Sequence, residues 1–194
     1  MSMVFRVCLR TSAKPAAFSL LELLAVIAII FLLSAFLIPA FNSLGGAYGL
    51  TSQGQALNDQ FILARQLAMS RNRDIEMRFF QSTSNAQTNW ATQLWELDTT
   101  GTSRAAVGRR MAFAGNLMLN PALSPLLTGL PGTVTNGETY QALRFRSSGR
   151  LAAQIANTNN YLTVQLRQAN LANPDNYFTL QINPITGRVS TFRP

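Results

Sequence analysis

Few side chains in this sequence could do acid–base, nucleophilic or metal chemistry. Glu76, Glu96, Asp98, Glu138 and Asp175 are scattered among polar loops and strand edges. Their spacing pairs no two carboxylates for general acid–base work and gathers no oxygen cage for a cation. The chain has no His, and its one Cys, Cys8, lies ahead of an apolar block. Beyond that block a zinc site with His or Cys ligands and thiolate catalysis are both excluded. Gly45-Gly46-Ala47-Tyr48-Gly49 lacks the Lys and the preceding strand of a phosphate-binding loop. The expectation is a protein with no catalytic residue, metal or cofactor, its acids solvated on the surface.

Arginine is the remaining candidate. The chain carries 16 basic and 8 acidic side chains, a formal charge of +8, and Lys14 is its only Lys. Arg6, Arg10 and Lys14 precede the apolar block; without them 13 basic residues face 8 acidic ones, leaving +5. Arg144, Arg146, Arg150, Arg188 and Arg193 fall on expected C-terminal strands and turns. Arg144 and Arg146, two apart, would share a strand face. Such a face can hold phosphates through charge and bidentate hydrogen bonds, which makes these five the candidate nucleic-acid contacts and DNA a candidate partner. The plainer reading is a solvated sheet face balanced by carboxylates of neighbouring molecules.

One acid stands apart. The run from Phe18 to Ile38 is broken only by Ser19, Glu22 and Ser34. As a helix it would be roughly 31 Å long, about the thickness of a bilayer core, and apolar on all faces. The basic flank, residues 1–17, should remain cytoplasmic. An ordinary secretory signal would end in a small-residue cleavage site, whereas this run ends in Leu37-Ile38-Pro39-Ala40-Phe41. A plain membrane anchor leaves Glu22 unexplained, since a carboxylate inside a span costs on the order of 3 kcal/mol. A signal cut before the apolar block does explain it. Cleavage after Ala17 exposes the α-amino group of Phe18, and Glu22 of one molecule can pair with that amine on the next.

Phe18-Ser19-Leu20-Leu21-Glu22, followed by Leu-Leu-Ala-Val-Ile-Ala-Ile-Ile, resembles the prepilin motif of type IV pilins and type II secretion pseudopilins. The resemblance implies cleavage by a prepilin peptidase between Ala17 and Phe18, N-methylation of Phe18, an assembly role for Glu22 and a helix kink at Pro39. The family usually has Gly before the cut, and this chain has the small residue Ala17. The implied partners are other pilin or pseudopilin subunits, the peptidase, an inner-membrane assembly platform and, before assembly, membrane lipid. The implied place is the inner membrane, single-pass with the head in the periplasm, and then a filament.

The elements that would carry these residues follow from periodicity. Gly45, Gly46 and Gly49 should weaken the helix after Pro39. Leu57, Phe61, Ala64 and Ala68 recur at spacings of four, three and four, one apolar stripe on a second helix. Ile75–Phe80, Trp90–Leu97 and Arg104–Phe113 have strand composition, whereas about 115–139, with Pro121, Pro125 and Pro131, reads as an irregular loop. The C-terminal part of the chain alternates: Leu162, Val164 and Leu166 against Thr163, Gln165 and Arg167, then Phe178, Leu180 and Ile182. It predicts strands over Ala142–Arg146, Arg150–Ile155, these two runs and Arg188–Phe192, an antiparallel meander with one wet face.

Ala64-Arg65-Gln-Leu-Ala68-Met-Ser-Arg71-Asn72-Arg73 before a strand resembles the helix-to-strand join of GspH/FimT-type minor pseudopilins. Phe145-Arg-Ser-Ser-Gly149-Arg150 and Asn183-Pro-Ile-Thr-Gly187-Arg188-Val189 are similar to that family's paired Gly-Arg ends. The chain length and the Leu-Leu-Glu-Leu-Leu run also resemble the prepilin-like proteins of the Verru_Chthon cassette, its member D. The expected class is α+β, a long N-terminal hydrophobic helix (a pilin-like stalk) packed on a C-terminal antiparallel sheet head. The expected parts are a leader over 1–17, an assembly helix over 18–50, an amphipathic continuation over 51–74 and a β-rich head over 75–194. The implied function is that of a minor pilin or pseudopilin, a structural filament subunit; the alternative is a filament-borne receptor for DNA.

Overall fold

The computed structural model describes residues 19–84, 87–135, 137–152 and 160–194, with their side chains apart from those of 35–45 and 135. The chain separates into two compact units, Met1–Asn42 and Ser43–Pro194. Helix α1 is assigned over Leu20–Arg71. Among the described residues nine strands follow: β1 (Ile75–Ser84), β2 (Gln87–Leu97), β3 (Ser103–Ala112), β4 (Leu117–Leu119), β5 (Gly132–Thr135), β6 (Glu138–Phe145), β7 (Tyr161–Leu166), β8 (Tyr177–Ile182) and β9 (Val189–Phe192). A single helical turn, α2 (Pro125–Thr128), lies between β4 and β5.

All pairings of these strands are antiparallel. One sheet has the order β3-β2-β1-β6-β5 and the other β4-β7-β8-β9. The last part of α1 supplies a stripe to both. Leu50, Leu57, Phe61, Ala64 and Ala68 are fully buried. Phe61 meets Phe79 of β1 at 6.2 Å and Phe145 of β6 at 6.4 Å between ring centroids. On the other side Gly54 lies against the ring of Phe178 in β8. The helix ends where Asn72 takes a left-handed conformation, φ 50°, and the Arg73 amide returns to the Ala68 carbonyl at 3.2 Å. That six-to-one bond closes the orphan carbonyls, and Asn tolerates the conformation better than most residues with a Cβ.

The expected fold class is corrected here. The fold is dominated by antiparallel strands, and among the described residues no long apolar N-terminal helix is seen. Nor, among these residues, is any helix long and apolar enough to cross a membrane. The stretch that does lie on the sheets, 46–71, buries one stripe and turns Ile62, Leu63, Gln66 and Ser70 to solvent. A helix with one face on a sheet and the other in water presents two unlike faces by necessity.

Three local expectations also change. Residues 46–51 continue as helix through Gly46 and Gly49. The segment 115–139 contributes β4, α2 and β5 instead of an irregular loop. The C-terminal strands do not form one meander: β6 joins the first sheet between β1 and β5, and only β7, β8 and β9 run as sequential neighbours. The strand expected over Arg150–Ile155 runs into residues outside the described set; Leu151 makes one bridge to Phe145. Nor is the polar face of β7 wet. Thr163 and Gln165 are buried beneath residues 120–124. The Thr163 amide donates to Ser124 Oγ at 2.8 Å, its hydroxyl donates to the Leu123 carbonyl at 2.8 Å, and Asn120 Nδ2 donates to Gln165 Oε1. Polar alternation signals a face that makes hydrogen bonds, and protein can supply them as well as water.

Two helical glycines give opposite predictions. A Cβ on Gly54 would overlap the Phe178 ring, whereas one on Gly49 meets nothing within 4 Å. Gly54→Ala should destabilise the sheet-bearing unit by about 1–3 kcal/mol through overpacking. Gly49→Ala should stabilise it by about 0.5–1 kcal/mol by raising helix propensity. Denaturant midpoints of the two variants falling on the same side of the parent chain would refute this packing.

Candidate functional site

The N-terminal motif begins where the described chain begins. Ser19 opens α1: its carbonyl accepts the Leu23 amide at 3.1 Å and its hydroxyl accepts the Leu21 amide at 3.3 Å. Ser19 is therefore the N-cap, and Glu22 stands at the third helical position, in the first turn. Ser-x-x-Glu is the spacing of a capping box, and a carboxylate there faces the positive end of the helix dipole. This spacing supplies a local reason for Glu22 beside the intermolecular one. Ala17 and Phe18 lie outside the described residues, as does the side chain of Pro39.

Past this cap the helix surface is apolar and bare. Leu20 is 82%, Leu21 77% and Phe31 74% exposed, and Leu24, Ile29 and Leu32 are also exposed. Side chains at consecutive positions cover all faces of a helix, so no single packed neighbour could hide them.

The five C-terminal arginines do not form one face. Arg144, on β6, gives Nη2 to Glu76 Oε1 at 3.0 Å. Arg146 lies beyond the end of β6 in a tight turn, with the Gly149 amide donating to its carbonyl at 2.7 Å, so the expected face shared with Arg144 is absent. Arg193 reaches back to α1 and donates to the Thr51 hydroxyl and, at 3.4 Å, to the Ala47 carbonyl. The other two follow the two Gly-Arg turns, which meet. Gly149 and Gly187 have φ of 78° and 65°, a region that L side chains rarely adopt. A Cβ on Gly187 would strike the Gly149 carbonyl. The Leu151 amide donates to the Pro184 carbonyl at 3.1 Å, and Arg65 Nε of α1 donates to the Thr186 carbonyl at 2.9 Å. Arg146, Arg150 and Arg188 are exposed around this junction, and among the described residues none has a carboxylate within ion-pair distance.

Two of the acids expected to be solvated, Glu96 and Glu76, are buried among guanidinium groups, whereas Glu138 and Asp175 are exposed. Glu96 is buried and holds Arg71 at 2.7 Å, Arg104 at 3.1 Å and Arg73 at 3.4 Å. Glu76 is buried between Arg78 at 2.8 Å and Arg144. Arg78, only 3% exposed, lies between the rings of Trp95 at 4.4 Å and Tyr140 at 4.5 Å. Tyr140 stacks on Phe80 at 5.4 Å, and Arg110 covers Phe80 at 3.7 Å while gripping Glu138 with two bonds of 2.8 and 2.7 Å. The ladder from Glu76 to Glu138 occupies the face of the first sheet opposite α1, whereas Glu96, paired across from Ile75, is on the α1 side. Reading Ile75–Phe80 as a strand leaves this face out, although Glu76, Arg78 and Phe80 recur at the period of two that marks it. Its guanidiniums are already engaged, and among the described residues no group of three His, Cys, Asp or Glu could hold a metal.

Comparison of the chain with protein-family models, with curated proteins and with solved structures finds no match.

Three acids held by hydrogen bonds set a pH dependence. The Arg71 hydrogen bond, with the charges of Arg104 and Arg73, holds Glu96 below its ordinary 4.5. The Arg110 fork lowers Glu138 from 4.5, and the Thr100 hydroxyl with the Thr102 and Thr100 amides lowers Asp98 from 3.8. A folded pKa below the unfolded one adds stability that is full above the unfolded value and disappears as pH falls through the folded one. The urea midpoint should therefore hold from about pH 7 to about pH 5.5 and fall below about pH 4.5. Glu96→Gln should flatten the acid limb, because one carboxylate fewer takes up a proton on unfolding. An acid limb of unchanged slope in that variant would show that Glu96 titrates alike in both states.

Proposed function

We propose that this chain is a structural subunit, of the minor pilin or pseudopilin kind, in a type IV pilus- or type II secretion-like filament, and that it carries no catalysis of its own. The observation that carries the reading is the bare apolar surface of α1 from Leu20 to Leu33. An uncovered apolar surface on every side of a helix calls for lipid or other helices around it. A filament subunit meets both in turn: lipid at the inner membrane, with its head in the periplasm, and then neighbouring helices after extraction by the assembly platform. Prepilin peptidase would cut between Ala17 and Phe18 and methylate Phe18, leaving the Ser19 cap and Glu22 at the new N-terminus. The two-sheet unit would then project from the filament as its head.

A second reading, a receptor for DNA, is favoured by one observation: Arg146, Arg150 and Arg188 are exposed around the joined Gly149 and Gly187 turns, with no carboxylate in ion-pair distance among the described residues. Phosphate contacts there would make binding fall steeply with salt. The same mobility shift at low and high salt for the parent chain and a triple Arg→Gln variant rejects this reading.

Two measurements test the filament reading. Intact mass of membrane-extracted protein should show loss of the leader, Met1 to Ala17, and a methyl group on Phe18; a mature N-terminus beyond Phe41 would mean an ordinary secretory signal. Glu22→Leu should leave cleavage intact and sharply reduce recovery in the sheared filament fraction, because a Phe18 ammonium stranded among apolar helices costs about 3–5 kcal/mol. Equal recovery with the parent chain would leave Glu22 only its helix-capping role.

A further inference from the structure

The second sheet carries a cleft on its outer face, the one turned away from α1. Leu162, Phe178, Leu180 and Ile182 point inward to the core, so Tyr161, Gln181 and Ser190, paired side by side across β7, β8 and β9, stand on the opposite face. There Asn160, Gln181, Asn183, Thr186, Arg188 and Ser190 line a cleft of about 380 Å³, inside the ~300–1,000 Å³ range of small-ligand sites. Every lining residue carries a hydrogen-bonding side chain, and the one charge among them is that of Arg188. Asn183, Thr186, Arg188 and Ser190 are exposed and Gln181 is half-buried, so a ligand can reach all five.

Contacts within the chain fix what the cleft offers. Gln181 Nε2 donates to the Tyr161 hydroxyl at 3.2 Å, so Oε1 is the acceptor it presents. Asn183 Oδ1 accepts the Ile185 and Thr186 amides, each at 3.0 Å, so Nδ2 is the donor it presents. The Thr186 hydroxyl accepts the Arg188 amide at 3.3 Å and keeps its own proton to donate. Arg188 adds a guanidinium with no carboxylate in ion-pair distance among the described residues. Two aromatic rings share this face: Tyr161 is 37% exposed, and Phe192, two residues beyond Ser190, is 51% exposed.

We infer that this cleft binds a hexuronate saccharide, a sugar chain that bears carboxylates. A pyranose carries hydroxyl donors and acceptors around its rim, which suits a lining of carboxamides and hydroxyls, and its C–H face can rest on an exposed aromatic ring. Its carboxylate meets Arg188 in a charge-assisted, bidentate pair. A mainly apolar ligand finds no apolar side chain in the lining. A nucleic acid gripped by its phosphates needs several cations along its length, and this cleft has one.

The test uses the full-length chain in micelles of a detergent without a sugar head group. Trimers of galacturonate, glucuronate and mannuronate are titrated in turn by calorimetry at low salt, and at least one should bind saturably at a single site. Its neutral counterpart, each carboxylate reduced to a hydroxymethyl group, should bind about tenfold more weakly or worse. Arg188→Gln should erase that difference with the thermal melt unchanged. Arg146→Gln combined with Arg150→Gln should leave binding of the acidic trimer as it was. Failure of all three trimers to bind the parent chain, or equal binding of the acidic and neutral forms, overturns the assignment. So does an acid preference that survives in Arg188→Gln. Loss of binding in the Arg146, Arg150 double variant also overturns it, since that result describes a general polyanion surface instead of this cleft.

Discussion

The burial of one helical stripe between two sheets holds the larger unit together. Phe61 fills the space between Phe79 and Phe145 on the first sheet, while Gly54 lets the same helix approach Phe178 on the second. Each fully buried Leu or Phe contributes about 1.5–3 kcal/mol of transfer free energy, and the stripe gathers several of them against both inner faces. Truncating Phe61 would lose that term and open a cavity, at about 3–5 kcal/mol. The placement of every later residue depends on this contact, because β1 leaves the helix through the Asn72 turn, and β2 and β6 take their register from β1.

The charge distribution follows from composition and topology together. With twice as many basic as acidic side chains, each acid can attract several guanidiniums, and antiparallel pairing of β1 with β2 and β6 delivers them. Glu76 on β1 lies opposite Arg144 on β6, and Glu96 near the end of β2 faces the arginines at the end of α1. Such clusters offset the cost of burying the carboxylate by surrounding it with hydrogen-bond donors. The sandwich of Arg78 between Trp95 and Tyr140 does the same for a buried cation. Around the paired glycine turns Arg146, Arg150 and Arg188 are exposed, and among the described residues none has a carboxylate within ion-pair distance, although Asp74 accepts the Ser147 amide in the same turn at 3.1 Å.

The two Gly-Arg turns show how a short motif acquires its meaning. In sequence they are two similar strings with two further strands, β7 and β8, between them. In the fold each Gly adopts a positive φ, and the carbonyl of one occupies the place a side chain of the other would need. Their shared role is close backbone approach, secured by Arg65 and Met69 of α1.

By itself the sequence determined the features that depend on near neighbours along the chain. The apolar run with its Ser19-x-x-Glu22 start, the stripe Leu57, Phe61, Ala64 and Ala68, and the alternation of β7 and β8 all follow from periodicity, which acts over a few residues. The tertiary structure decided which strand lies beside which, and so which charges meet. Sequence alternation says that Thr163 and Gln165 face away from Leu162, but only the fold places residues 120–124 over them. It says that Glu76 alternates with Met77, but only pairing with β6 brings Arg144 to it. The apolar run reads as membrane-length in sequence, whereas among the described residues no helix is long and apolar enough to cross a membrane. Local patterns are readable because they rest on backbone geometry. Long-range partners are not, because many pairings satisfy the same alternation and the choice among them is made by packing of the whole core.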